Sequence, residues 1–103
     1  MSKETLPGAI RKIVQAEPNT FVVYFREGCP YSMRAINLLK GLRLPSKCYD
    51  VENMSGNKPA LLNLLRSYAS LISYTPSHTT VPMIFYNGKF IGGCAELERM
   101  LSQ

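Results

Sequence analysis

The feature that most constrains the fold is a short, unbroken apolar run, Thr-Phe-Val-Val-Tyr-Phe, at residues 20–25. A run without polar alternation is typical of a strand whose two faces are both buried. Apolar residues at helical spacing precede it in residues 7–16 and follow it in a helix that begins at Pro30. We therefore expect this strand to lie inside a sheet that packs between helices.

The rest of the chain predicts further elements in a fixed order. They are a strand at 47–53, a helix at 58–74, strands at 83–86 and 90–91, and a helix at 95–102. Asn87-Gly88, between the last two strands, is a residue pair favoured in two-residue hairpin turns. The first two strands flank a helix, so we expect a right-handed crossover between parallel strands. The pattern predicts one α/β domain, residues 1–103, with a mixed four-stranded sheet flanked by helices.

Length, composition and charge argue against several classes of protein. A chain of 103 residues, 46% hydrophobic and 18% charged, is able to bury one ordinary core. No apolar run approaches the roughly 20 residues of a membrane span, and the start of the chain lacks the apolar region of a secretory signal. The net charge of +5 is spread along the chain without a Lys/Arg cluster. We expect no membrane or nucleic-acid partner, and the charge fits either a solvated surface or attraction of small anions.

The three cysteines and the single histidine have different predicted roles. Three cysteines without regular spacing predict free thiols in a reducing compartment, the cytoplasm, and they lack the spacing of a zinc site. Cys48 lies in a predicted strand and is expected in the core. His78 lies in a turn-rich loop and is expected on the surface.

Cys29 stands where a cysteine becomes reactive, directly before a helix that begins at Pro30. The unpaired N–H groups of the first helical turn and the helix dipole both favour thiolate over thiol. Such placement lowers a cysteine pKa from about 8.5 into the range of roughly 3.5–7.5. Arg26 and Arg34 are close in sequence and add positive charge. The sequence therefore predicts a nucleophilic thiolate at Cys29.

Two motifs carry a resemblance to a known family. Cys-Pro-Tyr-Ser at 29–32 follows a buried strand, and Thr-Val-Pro-Met-Ile-Phe-Tyr-Asn-Gly-Lys-Phe-Ile-Gly-Gly-Cys-Ala-Glu-Leu stands at 80–97. Together with the element order, they resemble the glutaredoxin family over nearly the whole chain. The resemblance implies a thioredoxin-like fold and glutathione-dependent thiol–disulfide exchange, with glutathione as co-substrate.

The resemblance also implies roles for individual residues. Cys29 would be the nucleophile, with Ser32 beside it in the catalytic motif. The implied glutathione-binding residues are Arg26, Tyr31, Thr80, Val81, Pro82, Gly93, Cys94 and Glu96. Arg26 would pair with the glycine carboxylate, and Val81, before a cis Pro82, would pair its backbone with the cysteinyl part. The N–H groups of Gly93 and Cys94 would hold the γ-glutamyl carboxylate, and Tyr31 would lie along the tripeptide.

This chain departs from the family pattern at two site positions. Ser32 stands where dithiol members have a second cysteine, either naturally or because a cysteine was exchanged for serine. Residue 32 therefore forms no disulfide with Cys29. The sequence therefore predicts a monothiol mechanism in which glutathionylated proteins are the partners and the protein is a monomer. Ala95 stands where an aspartate or serine commonly helps to bind glutathione, and Glu96 is the candidate to replace it.

Two alternatives stay open at this point. Two chains and two glutathiones would hold a [2Fe–2S] cluster through their Cys29 thiolates, in which case the protein would be a dimer; no other metal site is expected. For Cys94, a purely backbone role stands beside a role as a regulatory thiol that bridges to Cys29.

Overall fold

The computed structural model of the protein describes residues 6–102. Its helices and strands are α1 (Gly8–Val14), β1 (Phe21–Phe25), α2 (Pro30–Gly41), β2 (Ser46–Asp50), α3 (Asn57–Ser67), α4 (Ala69–Ile72), β3 (Met83–Tyr86), β4 (Lys89–Gly92) and α5 (Cys94–Leu101). Residues 1–5, which belong to the segment where no secretory signal is expected, and Gln103 lie outside the described residues. Within residues 6–102, no helix is both long and apolar enough to cross a membrane.

The four strands form one mixed sheet in the order β2-β1-β3-β4. β1 pairs in parallel with β2 and antiparallel with β3, so that Val23 lies between Cys48 and Ile84. β3 and β4 form the predicted antiparallel hairpin, and both turn residues, Asn87 and Gly88, have positive φ angles of 50° and 81°. The prediction of a mixed four-stranded α/β fold is confirmed, as is the burial of β1 on both faces.

Alternate residues of β1 supply two hydrophobic cores, because successive strand side chains point to opposite faces of a sheet. One core includes Ile10, Val22, Tyr24, Leu65, Ile72 and Phe85, and the other includes Phe21, Val23, Leu39, Ile84 and Leu97. The first core is covered by α1, α3 and α4, the second by α2 and α5. The hydroxyl of Tyr24 donates to the carbonyl oxygen of Ala9 at 2.7 Å, which ties α1 to the middle of the sheet.

Two predicted elements end earlier than the sequence pattern indicated. The strand predicted at 47–53 ends at Asp50, whose carboxylate accepts from the N–H of Glu52 at 2.9 Å and so begins a short 3-10 helix, Val51–Asn53. The helix predicted at 58–74 breaks after Ser67, whose hydroxyl donates to the carbonyl oxygen of Asn63 at 2.8 Å. Such back-bonding competes with the helical backbone and bends it.

Candidate active site

The loop between β1 and α2 places Cys29 at the first turn of α2. Cys29 has an extended backbone (φ −95°, ψ 117°) and is the N-terminal cap residue, and Pro30 is the first helical residue. The N–H of Cys29 donates to the carbonyl oxygen of Arg26 at 3.0 Å, and its own carbonyl accepts from Met33 at 3.1 Å. These bonds fix the backbone, so the thiol lies where the unpaired N–H groups of the helix converge.

The surroundings of Cys29 favour its thiolate. Burial, with 8% of the residue exposed, by itself raises the pKa of the thiol. Hydrogen bonds from the N–H and hydroxyl of Ser32 and from the N–H of Tyr31, together with the charge of Arg26, outweigh burial and lower this pKa below its ordinary value. Arg34, the other expected cation, is instead paired with Glu98, with 2.6 Å between Nε and Oε2.

Ser32 is a fully buried polar residue with partners on both sides. Its Oγ accepts from the backbone N–H of Arg26 at 3.3 Å, and its hydroxyl hydrogen bonds to the sulfur of Cys29. A hydroxyl is able to accept and donate at once. Serine at this position therefore stabilises both the loop that carries Arg26 and the Cys29 thiolate.

The segment before β3 approaches Cys29 from the other side. The peptide bond between Val81 and Pro82 is cis, as the family resemblance implied. The sulfur of Cys29 lies 3.7 Å from the carbonyl oxygen of Val81. The two predicted halves of the site, α2 and the segment before β3, therefore meet in the structure.

A groove of about 320 Å³ continues from this contact to the start of α5. Seven of the eight implied glutathione-binding residues line it: Tyr31, Thr80, Val81, Pro82, Gly93, Cys94 and Glu96. Arg26 is exposed on the loop before Cys29 and does not line the groove. The groove also contains Ala95, the second departure from the family pattern, and three residues that the sequence had not assigned to it: Arg34, His78 and Glu98. Tyr31 is 63% exposed beside Cys29, which leaves its ring free to contact a ligand.

At the start of α5, the carboxylate of Glu96 turns back and binds the backbone before the helix. Glu96 Oε1 accepts from the N–H of Gly93 at 2.7 Å, and this bond, followed by smaller contributions, lowers the pKa of Glu96 despite partial burial. Gly92 has a φ of 125°, and a Cβ there would lie 2.6 Å from Cγ of Glu96, so only glycine leaves room for this arrangement. The N–H of Gly93 thus has an acceptor already, and a ligand carboxylate would meet the N–H groups that follow it in the first turn.

The other two cysteines differ from Cys29 in their electrostatics. Burial, followed by the charge of Glu98, raises the pKa of the Cys94 thiol, which is 5% exposed. Burial likewise raises the pKa of Cys48, which is half-buried rather than deep in the core as predicted. All three cysteines are free, and Cys29 alone has a lowered pKa.

His78 was expected on the surface, and that prediction is wrong. Its side chain is half-buried and lines the groove, with its ring against Phe90 at 5.1 Å between centroids. Its Nε2 atom is buried without a hydrogen-bond partner among the described residues. The only hint in the sequence was its position two residues before Thr80, which lies in the second family motif.

Metal-ligating side chains do not gather in residues 6–102 of one chain. No three His, Cys, Asp or Glu residues there are placed to hold a metal ion. The described residues of a single chain therefore do not fit a [2Fe–2S] cluster.

Comparisons with known proteins agree with this architecture. The family model described as glutaredoxin matches residues 21–91. A probable glutaredoxin of Acanthamoeba polyphaga mimivirus is 47% identical over 92 residues, covering 89% of this chain and 87% of the relative. The solution structure of the dithiolic glutaredoxin 2-C-Grx1 of Trypanosoma brucei brucei is 32% identical with a TM-score of 0.71, covering 95% of this chain and 90% of that one. A buckwheat glutaredoxin–glutathione complex is 25% identical with a TM-score of 0.71, covering 99% and 86% of the two chains. The protein belongs to the glutaredoxin family and has its thioredoxin-like fold.

Proposed function

We propose that the protein is a glutathione-dependent thiol–disulfide oxidoreductase that reduces mixed disulfides of glutathione through Cys29 alone. The observation that carries this proposal is the position of Cys29 as the cap residue of α2, with its sulfur 3.7 Å from the carbonyl oxygen of Val81, which lines the groove. Membership of the glutaredoxin family supports the redox role. The buckwheat relative, which was solved as a complex with glutathione, supports the choice of co-substrate.

The reaction begins with attack of the Cys29 thiolate on the glutathione sulfur of a mixed disulfide. A new S–S bond joins Cys29 to glutathione, and the substrate thiol leaves as a thiolate that takes up a proton. The thiolate of a second glutathione then attacks the glutathione sulfur bound to Cys29. Oxidised glutathione leaves, and the Cys29 thiolate is regenerated, so each mixed disulfide is reduced at the expense of one free glutathione thiol.

The position of Val81 suggests how glutathione is oriented. Val81 precedes β3, and an extended peptide is able to pair with its backbone as an added strand. The cysteinyl sulfur would then lie against Cys29, because the Cys29 sulfur is 3.7 Å from the Val81 carbonyl oxygen. Tyr31 would contact one side of the tripeptide. Arg26 would attract the glycine carboxylate, since its charge already acts on the nearby Cys29.

Ser32 supports a monothiol mechanism. A buried hydroxyl that bonds the Cys29 sulfur keeps one contribution to thiolate stability but has no thiol with which to form a disulfide. Turnover therefore depends on the glutathione of the mixed disulfide in the first step and on free glutathione in the second. We accordingly propose glutathionylated proteins as partners, and a monomer acting in a reducing cytoplasm, in keeping with three free cysteines.

The proposal is tested with Cys29→Ser in a coupled assay that contains a glutathione mixed disulfide, glutathione and glutathione reductase. The variant is expected to lose activity completely, because a serine hydroxyl is not ionised at neutral pH. Cys48→Ser is the matched control, since Cys48 is half-buried and its thiol pKa is raised by burial; it should retain activity. Activity that persists in Cys29→Ser would refute the assignment.

The absence of a second cysteine from the Cys-Pro-Tyr-Ser motif is the one observation that favours a cluster-bridged dimer. Anaerobic reconstitution with iron, sulfide and glutathione tests this alternative. A brown dimer with visible absorbance that Cys29→Ser abolishes would establish it. A colourless monomer would leave the oxidoreductase as the sole function of Cys29.

A further inference from the structure

We propose that His78 is a positioning residue that donates a hydrogen bond from Nε2 to the α-carboxylate of the γ-glutamyl residue of glutathione. The inference rests on the proposed function, because it concerns how the same groove holds the same substrate. It follows from the placement of one imidazole ring in the groove, beside Gly93 at the start of α5.

His78 is held in place through both its ring and its backbone. Its face-to-edge contact with Phe90 has a centroid distance of 5.1 Å and an interplanar angle of 71°. The backbone is anchored because its carbonyl oxygen accepts from the Tyr74 hydroxyl and its N–H donates to Thr75 at 2.9 Å. Cε1 of His78 lies 3.3 Å from the position of a Cβ added to Gly93. The ring therefore lies close to Gly93, the N-terminal cap residue of α5.

The Nε2 atom of His78 is the exception among buried side-chain polar atoms in residues 6–102. It has no hydrogen-bond partner, whereas the buried hydroxyls of Tyr24 and Ser32 both have one. An unpaired buried polar atom is unfavourable, and native structures keep few of them. Because His78 lines the groove, a turn of its ring would bring the enclosed Nε2 atom within hydrogen-bond reach of a ligand in the groove.

The surrounding groups select a carboxylate as that partner. The first-turn N–H groups of α5 favour an anion, but Ala95 offers no polar side chain and Gly93 already donates to Glu96 at 2.7 Å. Nε2 of His78 supplies the donor that is missing at this position. Glu96, whose pKa is lowered chiefly by that bond to Gly93, stays ionised and is available to the γ-glutamyl ammonium group. The two charges of the γ-glutamyl end thus meet complementary groups on this surface.

Two variants of His78 test the inference in the full chain. His78→Phe keeps an aromatic ring against Phe90 but removes the nitrogen, and it is expected to raise the KM for glutathione about five- to tenfold. His78→Gln restores an amide donor and should return the KM to within about twofold of the unsubstituted protein. Ser77→Ala, an exposed neighbour in the same loop, is the control and should have no effect. The reactivity of Cys29 should be the same in all four proteins.

A glutathione analogue identifies the group that His78 contacts. Replacing the γ-glutamyl residue by 4-aminobutanoate removes the α-carboxylate, so His78→Phe should not weaken binding of this analogue further. An equal loss for glutathione and the analogue, or an unchanged KM in His78→Phe, would overturn the inference.

The imidazole signals of the chain's single histidine give a readout that needs no turnover. S-methylglutathione should shift them and the 4-aminobutanoate analogue should not; unshifted signals at saturating S-methylglutathione would also overturn the inference. Loss of turnover in the unsubstituted protein would refute the proposed function instead, while this titration would still decide the role of His78.

Discussion

Replacing Ser32 by alanine removes the one side-chain hydroxyl that stabilises the Cys29 thiolate, and with it the acceptor of the Arg26 N–H at 3.3 Å, while the chain keeps its other thiolate-stabilising groups. Those are the N–H groups of Ser32 and Tyr31 and the charge of Arg26. A hydrogen bond to a charged group contributes about 1.5–3 kcal/mol, and one pKa unit corresponds to about 1.4 kcal/mol. We therefore expect Ser32→Ala to raise the pKa of Cys29, with about a tenfold loss in its ionisation constant at the lower end of that energy range.

This shift has opposite consequences at low and high pH. Below both pKa values, the thiolate fraction of the variant falls about tenfold, while its intrinsic nucleophilicity rises about threefold because a more basic thiolate attacks faster. The net rate should therefore fall about threefold at low pH and rise about threefold at high pH, where both proteins are fully ionised. The two pH–rate curves should cross.

The assay is the reaction of Cys29 with a small disulfide reagent over about pH 4 to 10, followed by mass spectrometry of the Cys29 peptide. That readout separates Cys29 from Cys48 and Cys94. Ser67→Ala is the control, since the Ser67 hydroxyl bonds only the Asn63 carbonyl in α3. Superimposable profiles for Ser32→Ala and the unsubstituted protein would refute the role given to the Ser32 hydroxyl.

Two further predictions concern the core and the second groove cysteine. Tyr24→Phe should lower the free energy of unfolding by about 1–3 kcal/mol, because the Ala9 carbonyl loses the donor now 2.7 Å away; an unchanged denaturant midpoint in urea would contradict this. Cys94→Ser should keep its turnover within about twofold, because the structure gives its buried thiol a raised pKa. A large loss of turnover, or a Cys29–Cys94 disulfide found by mass spectrometry after peroxide treatment, would show that the thiol of Cys94 takes part in redox chemistry.

The mixed sheet flanked by helices followed from hydrophobic patterns because those patterns report which faces of a strand are buried. The continuous run that became β1 and the Asn87-Gly88 turn were sufficient to predict a strand buried on both faces and the closing hairpin. The ends of β2 and α3 were not predictable in this way. They depend on single side chains, Asp50 and Ser67, that bond to the nearby backbone, and hydrophobic periodicity contains no information about such bonds.

The candidate site was predictable where a residue acts through its place on an element. Cys29 was placed correctly because a cysteine before Pro30 must meet the first turn of a helix. His78 was not, because its position depends on packing against Phe90, twelve residues further along the chain. The hydrogen bond from the Gly93 N–H to the Glu96 carboxylate was also not predicted. The sequence alone does not distinguish a glutamate that binds the start of its own helix from one that is exposed.

The selection of one thiol out of three is a consequence of short-range geometry rather than of overall charge. The net charge of +5 acts on all three cysteines, yet the pKa values of Cys48 and Cys94 are raised and only that of Cys29 is lowered. What distinguishes Cys29 is that backbone and hydroxyl donors of α2 point at its sulfur, and these contribute more than the nearest cation, Arg26. A charge acts across solvent and is screened, whereas a donor fixed by a helix start requires no reorganisation when the thiolate forms. The reactivity of this chain is therefore encoded mainly in where α2 begins, and Ser32 adds to it without requiring a second sulfur.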